Sequence, residues 1–360
     1  MIQESSINKQ KPHFTMSTKL MTVVVPVYKV EKYIAKCLDS LILPEEWMDR
    51  LEVLVVNDGT PDRSAEMARE YEVRYPGTFR VIDKPNGGHG SAWNRGLAEA
   101  TGKYLRFLDS DDWYTTSEFI KLLEELEHLD VDIAISNYSR YYVQNETFKP
   151  QIVKGMTPSV IYDAAELNWD QQAWDIASFW RCSYRTAMLQ TAQPMFVEKV
   201  FYDDIKVTIA SVILAKTACY IDLTIYNYLI GRPGQTMTPE IQRKNYLHKF
   251  TVQKDVFEFY LSHPVTGQGR NAYLGSKIKA WLLFEFYQLT RFPYKASKKY
   301  LAEWKTYYLR LAKKIGLHTY PINSIKLYFH LPFPLYYYSR KLKDSLTGGD
   351  EGLGYDTWAQ

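Results

Sequence analysis

Tyr104-Leu-Arg-Phe-Leu-Asp-Ser-Asp-Asp-Trp113 is a short, largely apolar run that empties into three carboxylates, Asp109, Asp111 and Asp112. Tyr104 to Leu108 reads as a buried strand, since the run is too short for a helix. In an open α/β sheet, ligands gather just beyond the carboxyl ends of the strands, so acids placed there face a site. Three such groups repel one another and lose water, and something cationic should hold them. An all-oxygen cluster suits Mg²⁺ or Mn²⁺, which bridge such a site to a diphosphate. The competing reading is a helix N-cap with a solvated acidic turn, because Asp favours that position.

The segments before this stretch support the sheet. Met21 to Tyr28 is a β-branched run of the kind found in buried parallel strands, and a helix carrying Ile34, Leu38, Leu41 and Ile42 follows. Leu51 to Asp58 forms a second strand ending in a carboxylate, and Asp62 caps a helix reaching Tyr75. Phe79 to Asp83 is a third strand, and Ser91 to Ala100 a helix stopped by Gly102. Beyond the acidic cluster, Ser117 to Leu129 is helical and Asp132 to Tyr142 extended. Strands alternating with helices of this length make βαβ units. The expected class is α/β, a Rossmann-like, mostly parallel central sheet flanked by helices. Further on, helices are expected over Tyr184 to Thr191 and Asp203 to Ala215, and a strand over Cys219 to Ile230.

After Gly231-Arg-Pro-Gly234 the periodicity is helical; Leu301, Trp304, Tyr308, Leu311 and Ile315 fall on one face. The expected division is a leader at 1–20 without order, a catalytic domain at 21–238, a helical basic and aromatic region at 239–345, and a flexible tail at 346–360. The net charge of +3 hides an asymmetry. From Glu240 to Ser345 there are 19 Lys/Arg against 6 Asp/Glu, whereas the remainder holds 25 basic and 35 acidic residues. An acidic body with a basic appendage is implied. The 360-residue chain can bury a full core. Its three cysteines fit neither a disulfide framework nor a zinc site, so a reducing cytoplasm is the expected compartment. The first 20 residues lack the apolar core of a signal peptide, and no apolar run approaches the roughly 18 residues of a membrane span.

The first βα turn carries no GxGxxG, and no GxxxxGK[ST] occurs, so a dinucleotide cofactor and a P-loop are not expected. Asp58, at a strand tip, can accept the N3–H of a uracil or simply cap the Gly59-Thr60 turn. Asn86-Gly-Gly-His-Gly90 sets three glycines before a helix, where backbone N–H groups can meet an anion or sugar hydroxyls. His89 reads as a loop residue slightly more readily than as a site residue. Asp203 and Asp204 open a helix, where they either favour the positive end of its dipole or supply a general base.

Together these pieces resemble one family, the inverting family 2 glycosyltransferases with the GT-A fold. Val25-Pro-Val-Tyr28 resembles the family's opening strand, Asn57-Asp-Gly-Thr-Pro-Asp62 its uridine-binding turn, and Leu108-Asp-Ser-Asp-Asp-Trp113 its metal-binding DxD segment. Phe201-Tyr-Asp-Asp-Ile205 is similar to the acidic pair that carries its base, with Asp203 in place of the usual Glu. Asn86 to Leu97 also fits, with Trp93 where many members carry Arg, and Lys29 replaces a frequent Asn. Tyr226 to Met237 resembles the segment closing the catalytic domain in bacterial polysaccharide-assembling members. The likeness covers Met21 to Met237 and stops before the C-terminal third.

The resemblance implies transfer of a sugar from a nucleotide diphosphate, a UDP-sugar, to a hydroxyl of a glycan or lipid-linked acceptor. Pro26, Val27, Tyr28, Asp58, Asn86, Gly87, Asp109 and Ser110 would hold the nucleotide sugar. Asp109, Asp111 and Asp112 would hold Mn²⁺ or Mg²⁺, and Asp204, with Asp203 beside it, would take the acceptor's proton. Direct displacement would invert the anomeric centre. Trp169, Trp174 and Trp180 are candidates for an acceptor subsite or for the core. Two rival functions are a sugar-phosphate nucleotidyltransferase, whose glycine-rich signature is missing, and a non-catalytic module binding polyanion or membrane. No nucleic acid partner is expected. Ile325 to Lys343 joins a Pro-interrupted aromatic run to a basic cluster, which suits peripheral contact with an anionic membrane at its inner face or packing on the catalytic domain.

Overall fold

A computed structural model of the protein describes residues 19–169, 176–232, 245–319, 321 and 323–346. The first half runs β1 (Met21–Val27), α1 (Ile34–Asp39), α2 (Glu45–Met48), β2 (Leu51–Asn57), α3 (Ser64–Arg74), β3 (Phe79–Asp83), α4 (His89–Glu99) and β4 (Tyr104–Phe107). Next come β5 (Trp113–Tyr114), α5 (Thr116–His128), β6 (Ile133–Tyr142), β7 (Thr147–Gln151), β8 (Ile161–Asp163) and β9 (Cys182–Arg185). Then follow α6 (Thr186–Gln190), α7 (Asp204–Leu214) and β10 (Thr217–Ile230). The helical region consists of α8 (Tyr246–Ser262), α9 (Gln268–Leu289), α10 (Tyr294–Lys314), α11 (Asn323–His330) and α12 (Phe333–Leu346).

The strands form one sheet in the order β3-β2-β1-β4-β9-β6-β10-β5, with β7 on β6 and β8 on β10. Its first four strands are parallel, as expected, and their carboxyl ends share one edge. β6 and β10 are also parallel, but β9 runs antiparallel between β4 and β6, which makes the whole sheet mixed. The helix expected from Tyr184 accordingly begins only at Thr186. Tyr184 pairs with Leu105 on one side and Ile133 on the other, and two ladders outweigh a local helical preference.

β1 is buried along its length, so Val23, Val24, Val25 and Val27 each stabilise the fold by roughly 1.5–3 kcal/mol through burial. α4 covers it at close range, since a Cβ on Gly96 would stand 2.2 Å from Val24 Cγ1. Arg106, inside β4 and fully buried, donates to Ser183 Oγ at 3.0 Å and to the Trp180 carbonyl at 2.9 Å, tying β4 to the segment leading into β9.

The boundary expected at 238/239 lies outside the described residues. On its far side the helices dock onto the sheet domain rather than standing apart. Lys206 in α7 pairs with Asp255 in α8 at 2.7 Å, and Arg270 in α9 donates to the Ala215 carbonyl past the other end of α7. Leu301, Trp304, Tyr308 and Leu311 form the buried face of α10, as their spacing predicts, and Ile315 follows as its C-cap. Of the leader, 1–18 lie outside the described residues, whereas Leu20 is buried and its N–H donates to the Arg50 carbonyl. Of the tail, only Leu346, the end of α12, is described. No helix among the described residues is long and apolar enough to cross a membrane.

Candidate active site

The turn after β2 places Asp58, 3% exposed, under the glycine loop. Its Oδ1 accepts from Lys84 Nζ at 2.6 Å and Gly87 N–H at 2.8 Å, and its Oδ2 from Gly88 N–H at 2.8 Å. A carboxylate offers about four acceptor sites, so these three donors leave one on Oδ2. Asn86 donates through Nδ2 to the Asp58 carbonyl at 2.9 Å. The glycine loop is therefore pinned from beneath. Pro26 and Val27 are buried at the end of β1, and Tyr28, 44% exposed, stands beside them at the sheet edge.

The loop glycines serve close approach. A Cβ on Gly90 would lie 2.6 Å from the Val197 carbonyl oxygen and 2.7 Å from Asp203 Oδ2, and one on Gly88 would lie 3.1 Å from Lys199. The start of α4 thus presses against residues 196–203 and draws the second acidic pair toward the strand ends. Asp203 makes no capping hydrogen bond at the head of α7. Instead it faces His89, whose Nδ1 lies 3.1 Å from Asp203 Oδ2 and whose Nε2 lies 2.9 Å from Asp109 Oδ1. With a carboxylate at each nitrogen, the ring donates twice only as the imidazolium. Burial alone would lower its pKa, but Asp203 and Asp109 hold it well above the usual histidine range. His89 therefore bridges the acid after β4 to the acid heading α7.

Asp204 begins α7 next to this bridge. Burial, and after it the charge of Asp203, pushes its carboxyl up to about 7. Lys249, reaching in from α8, has its ammonium pushed down to about 8 by burial, against the opposing pull of Asp204. The neighbouring His248 accepts the Phe201 N–H through Nδ1 at 3.3 Å. The basic third of the chain thus reaches the acidic pair.

The DxD acids divide into two kinds. Asp112 is buried, with one oxygen accepting from the Tyr226 hydroxyl and the other from Leu229 N–H at 2.7 Å. It fastens β10 to the acidic turn, so the metal expectation narrows to Asp109 and Asp111. Ser110, also buried, lies between them. Asp111 pairs with Arg232, just past β10, and burial followed by the charge of Asp109 raises its pKa. Among the described residues no group of three or more His, Cys, Asp or Glu is arranged to hold a metal ion. The hard oxygens of Asp109 and Asp111 fit Mg²⁺ or Mn²⁺ in kind, each keeping one oxygen unengaged by His89 or Arg232.

Trp180 stacks on Tyr228 with ring centroids 6.0 Å apart and planes at 10°. After burial itself, Asp112 and Asp109 are what raise the Tyr228 pKa, so this aromatic pair borders the carboxylates. Trp169 is fully buried and donates to the Ala164 carbonyl, a core role, and Trp174 lies outside the described residues. Trp93 is likewise core, packed among Phe107, Phe179 and Phe196 behind His89. A separate open cleft of about 680 Å³, lined in part by Lys216 and Arg270, lies at the far end of α7 from these acids.

Residues 22–191 match the family described as Glycosyl transferase family 2. The match runs from β1 through α6, just under half of the chain, and over these residues the chain is similar to that family. It is similar to the uncharacterized glycosyltransferase EpsJ of Bacillus subtilis, with 32% identity over 58% of this chain and 60% of the relative. It is similar also to the glycosyltransferase GlyA of Streptococcus pneumoniae, with 28% identity over 59% of this chain and 31% of GlyA. The chain thus spans less than two thirds of the length of these relatives. Among solved structures, S. aureus TarS 1-349 superposes with a TM-score of 0.61 at 19% identity, over 89% of this chain and 87% of TarS 1-349. That likeness is one of GT-A fold. The same fragment of TarS has been solved with UDP-GlcNAc, where the TM-score is 0.54 over 71% of each chain.

Proposed function

We propose that this chain transfers a sugar from a UDP-sugar to a hydroxyl of a glycan or lipid-linked acceptor, with inversion, in polysaccharide or glycoconjugate assembly. The observation that carries the reading is Asp204, a carboxyl pushed up to about 7 beside the strand ends where a nucleotide would lie. A base works best with a pKa near the operating pH, and burial next to Asp203 supplies that here. Asp204 takes the proton of the acceptor hydroxyl as its oxygen attacks the anomeric carbon on the face opposite the leaving diphosphate. The diphosphate lies toward Asp109 and Asp111, so the base and the acids of the donor site occupy separate segments. The binding of UDP and UDP-GlcNAc by TarS supports a uridine donor.

Asp58 accepts the uracil N3–H on its remaining lone pair, Tyr28 flanks the base, and the Asn86-Gly87 turn is held where the donor passes. Asp109 and Asp111 would hold Mn²⁺ or Mg²⁺, which when bound stabilises charge growing on the diphosphate. Arg232 lies against the same acids and serves the departing anion once it is released from Asp111. Trp180 and Tyr228 offer aromatic faces on which acceptor sugar rings can stack. A cytoplasmic enzyme, peripheral at the inner face of the plasma membrane, fits a lipid-linked acceptor.

The test is hydrolysis of a panel of nucleotide sugars with Mn²⁺, followed by transfer to added glycans. Turnover of a UDP-sugar is the expected result. No turnover of any nucleotide sugar, with polyanion binding retained, would assign the chain to a binding role.

A further inference from the structure

Of the fifteen large hydrophobic side chains exposed among the described residues, six fall between 327 and 346: Leu327, Leu331, Leu335, Tyr338, Leu342 and Leu346. On α12 the last four follow spacings of three, four and four, which puts them on one face of the helix. Their exposure is 62%, 64%, 62% and 77% in chain order. The tyrosines of the same run mostly point the other way. Tyr336 and Tyr337 are buried, Tyr337 donating to the Phe292 carbonyl at 3.1 Å, and Tyr328 stands edge-on to Phe286. The aromatic run is therefore the anchor that fixes the two helices, and the leucines are what it presents outward. Lys341 and Lys343, both exposed, border the apolar face of α12 on either side.

We infer that the outward face of α11 and α12 docks on an anionic lipid surface, with Leu335, Leu342 and Leu346 entering the headgroup boundary and the lysines meeting lipid phosphates. Charge argues for this occupant. The 240–345 region carries 19 Lys/Arg against 6 Asp/Glu, so a negative surface is favoured over a second, equally basic copy of the same region. Geometry agrees. α12 has 14 residues, about 21 Å of helix, too short to span a bilayer and suited to lying in its plane. Because α8 of the same helical region pairs with α7, the helix that the acidic pair opens, docking also fixes the catalytic edge relative to a membrane-borne acceptor. That consequence rests on the proposed transfer, whereas docking itself is measured without turnover.

The experiment is co-sedimentation of the full chain with vesicles of phosphatidylglycerol and phosphatidylcholine, against vesicles of phosphatidylcholine alone. Wild type is expected to pellet with the anionic vesicles at low salt and to release at high salt. The Leu335→Ser/Leu342→Ser/Leu346→Ser variant replaces only exposed side chains and should melt like wild type, yet its partition should fall about tenfold or more. Lys341→Glu/Lys343→Glu should lose the preference for anionic vesicles. Equal pelleting of the serine variant, or no pelleting of wild type, overturns the inference. So does leucine-dependent dimerisation in light scattering without vesicle binding, which would give the stripe to a second copy. UDP-sugar hydrolysis on the same samples separates the claims, since wild type that pellets but does not turn over refutes the transfer and leaves docking standing.

Discussion

Nε2 of His89 lies 2.9 Å from Oδ1 of Asp109, and the other nitrogen of the ring reaches Asp203. One imidazolium thus joins an acid at the end of β4 to the acid heading α7. The three-carboxylate cluster required a cation, and the fold provides two from its own side chains, His89 and Arg232. His89 engages one oxygen of Asp109 and Arg232 one of Asp111, and neither engages the second oxygen of its partner.

Replacing His89 by Ala should therefore loosen residues 196–203 from the strand ends. A hydrogen bond to a charged group contributes about 1.5–3 kcal/mol, and the ring is 38% exposed, so the lower end applies. Thermal denaturation should show a loss of about 1.5 kcal/mol, and transfer should slow because Asp203 and Asp109 then repel without a bridge. Unchanged stability would mean that the loop is held by its backbone contacts alone.

Asp111→Ala should abolish the metal dependence of UDP binding, whereas Asp112→Asn should chiefly destabilise the turn, since both oxygens of Asp112 already accept protein donors. Calorimetry with and without Mn²⁺, paired with melting curves, separates the two. Metal dependence surviving in the Asp111 variant would remove the metal from this reading.

Gly96→Ala should destabilise the fold by about 1–3 kcal/mol, because the new methyl meets Val24 in the middle of the sheet. Denaturant unfolding checks this. A variant as stable as wild type would show that α4 can shift outward freely.

The parallel half of the sheet was legible because β1, β2 and β4 are short apolar runs that each end in a polar turn. β9 was not, since its pairing with β4 and β6 comes from distant partners that no local pattern records. In the site, the types and order of the acids identified the carboxylates but not how they divide. Asp112 differs from Asp111 only through what β10 brings to each, the Tyr226 hydroxyl and the Leu229 amide in one case and Arg232 in the other. His89 read as a loop residue because its two partners lie far from it in sequence. Gly90, where a side chain would collide with Asp203, was the one local trace of that approach. Lys249 carried no signal beyond the basic balance of its region.

The ionisation of Asp204 sets a pH dependence whose sign is fixed. On the proposed mechanism transfer needs the carboxylate, so its rate should climb as pH rises through about 7. After burial, the charge of Asp203 is the largest cause of that elevation, so Asp203→Asn should move the acidic limb to lower pH. The Asp203→Asn rate profile is the check, and a limb that stays in place would detach the two residues.

Asp204→Asn tests the central claim most directly. The base acts only in the transition state, so kcat for transfer from the UDP-sugar should fall by about a hundredfold or more, with donor KM and UDP affinity nearly unchanged. The folded pKa is raised, so ionising Asp204 costs folding stability. That cost appears as pH climbs above the unfolded carboxyl value of about 4 and is complete above about 7. The same variant should therefore melt higher than wild type at pH 8, a gain that fades toward pH 4. Lost turnover with raised stability at pH 8 is the predicted pair. A variant that keeps a tenth or more of wild-type kcat would contradict the account and move the base off Asp204.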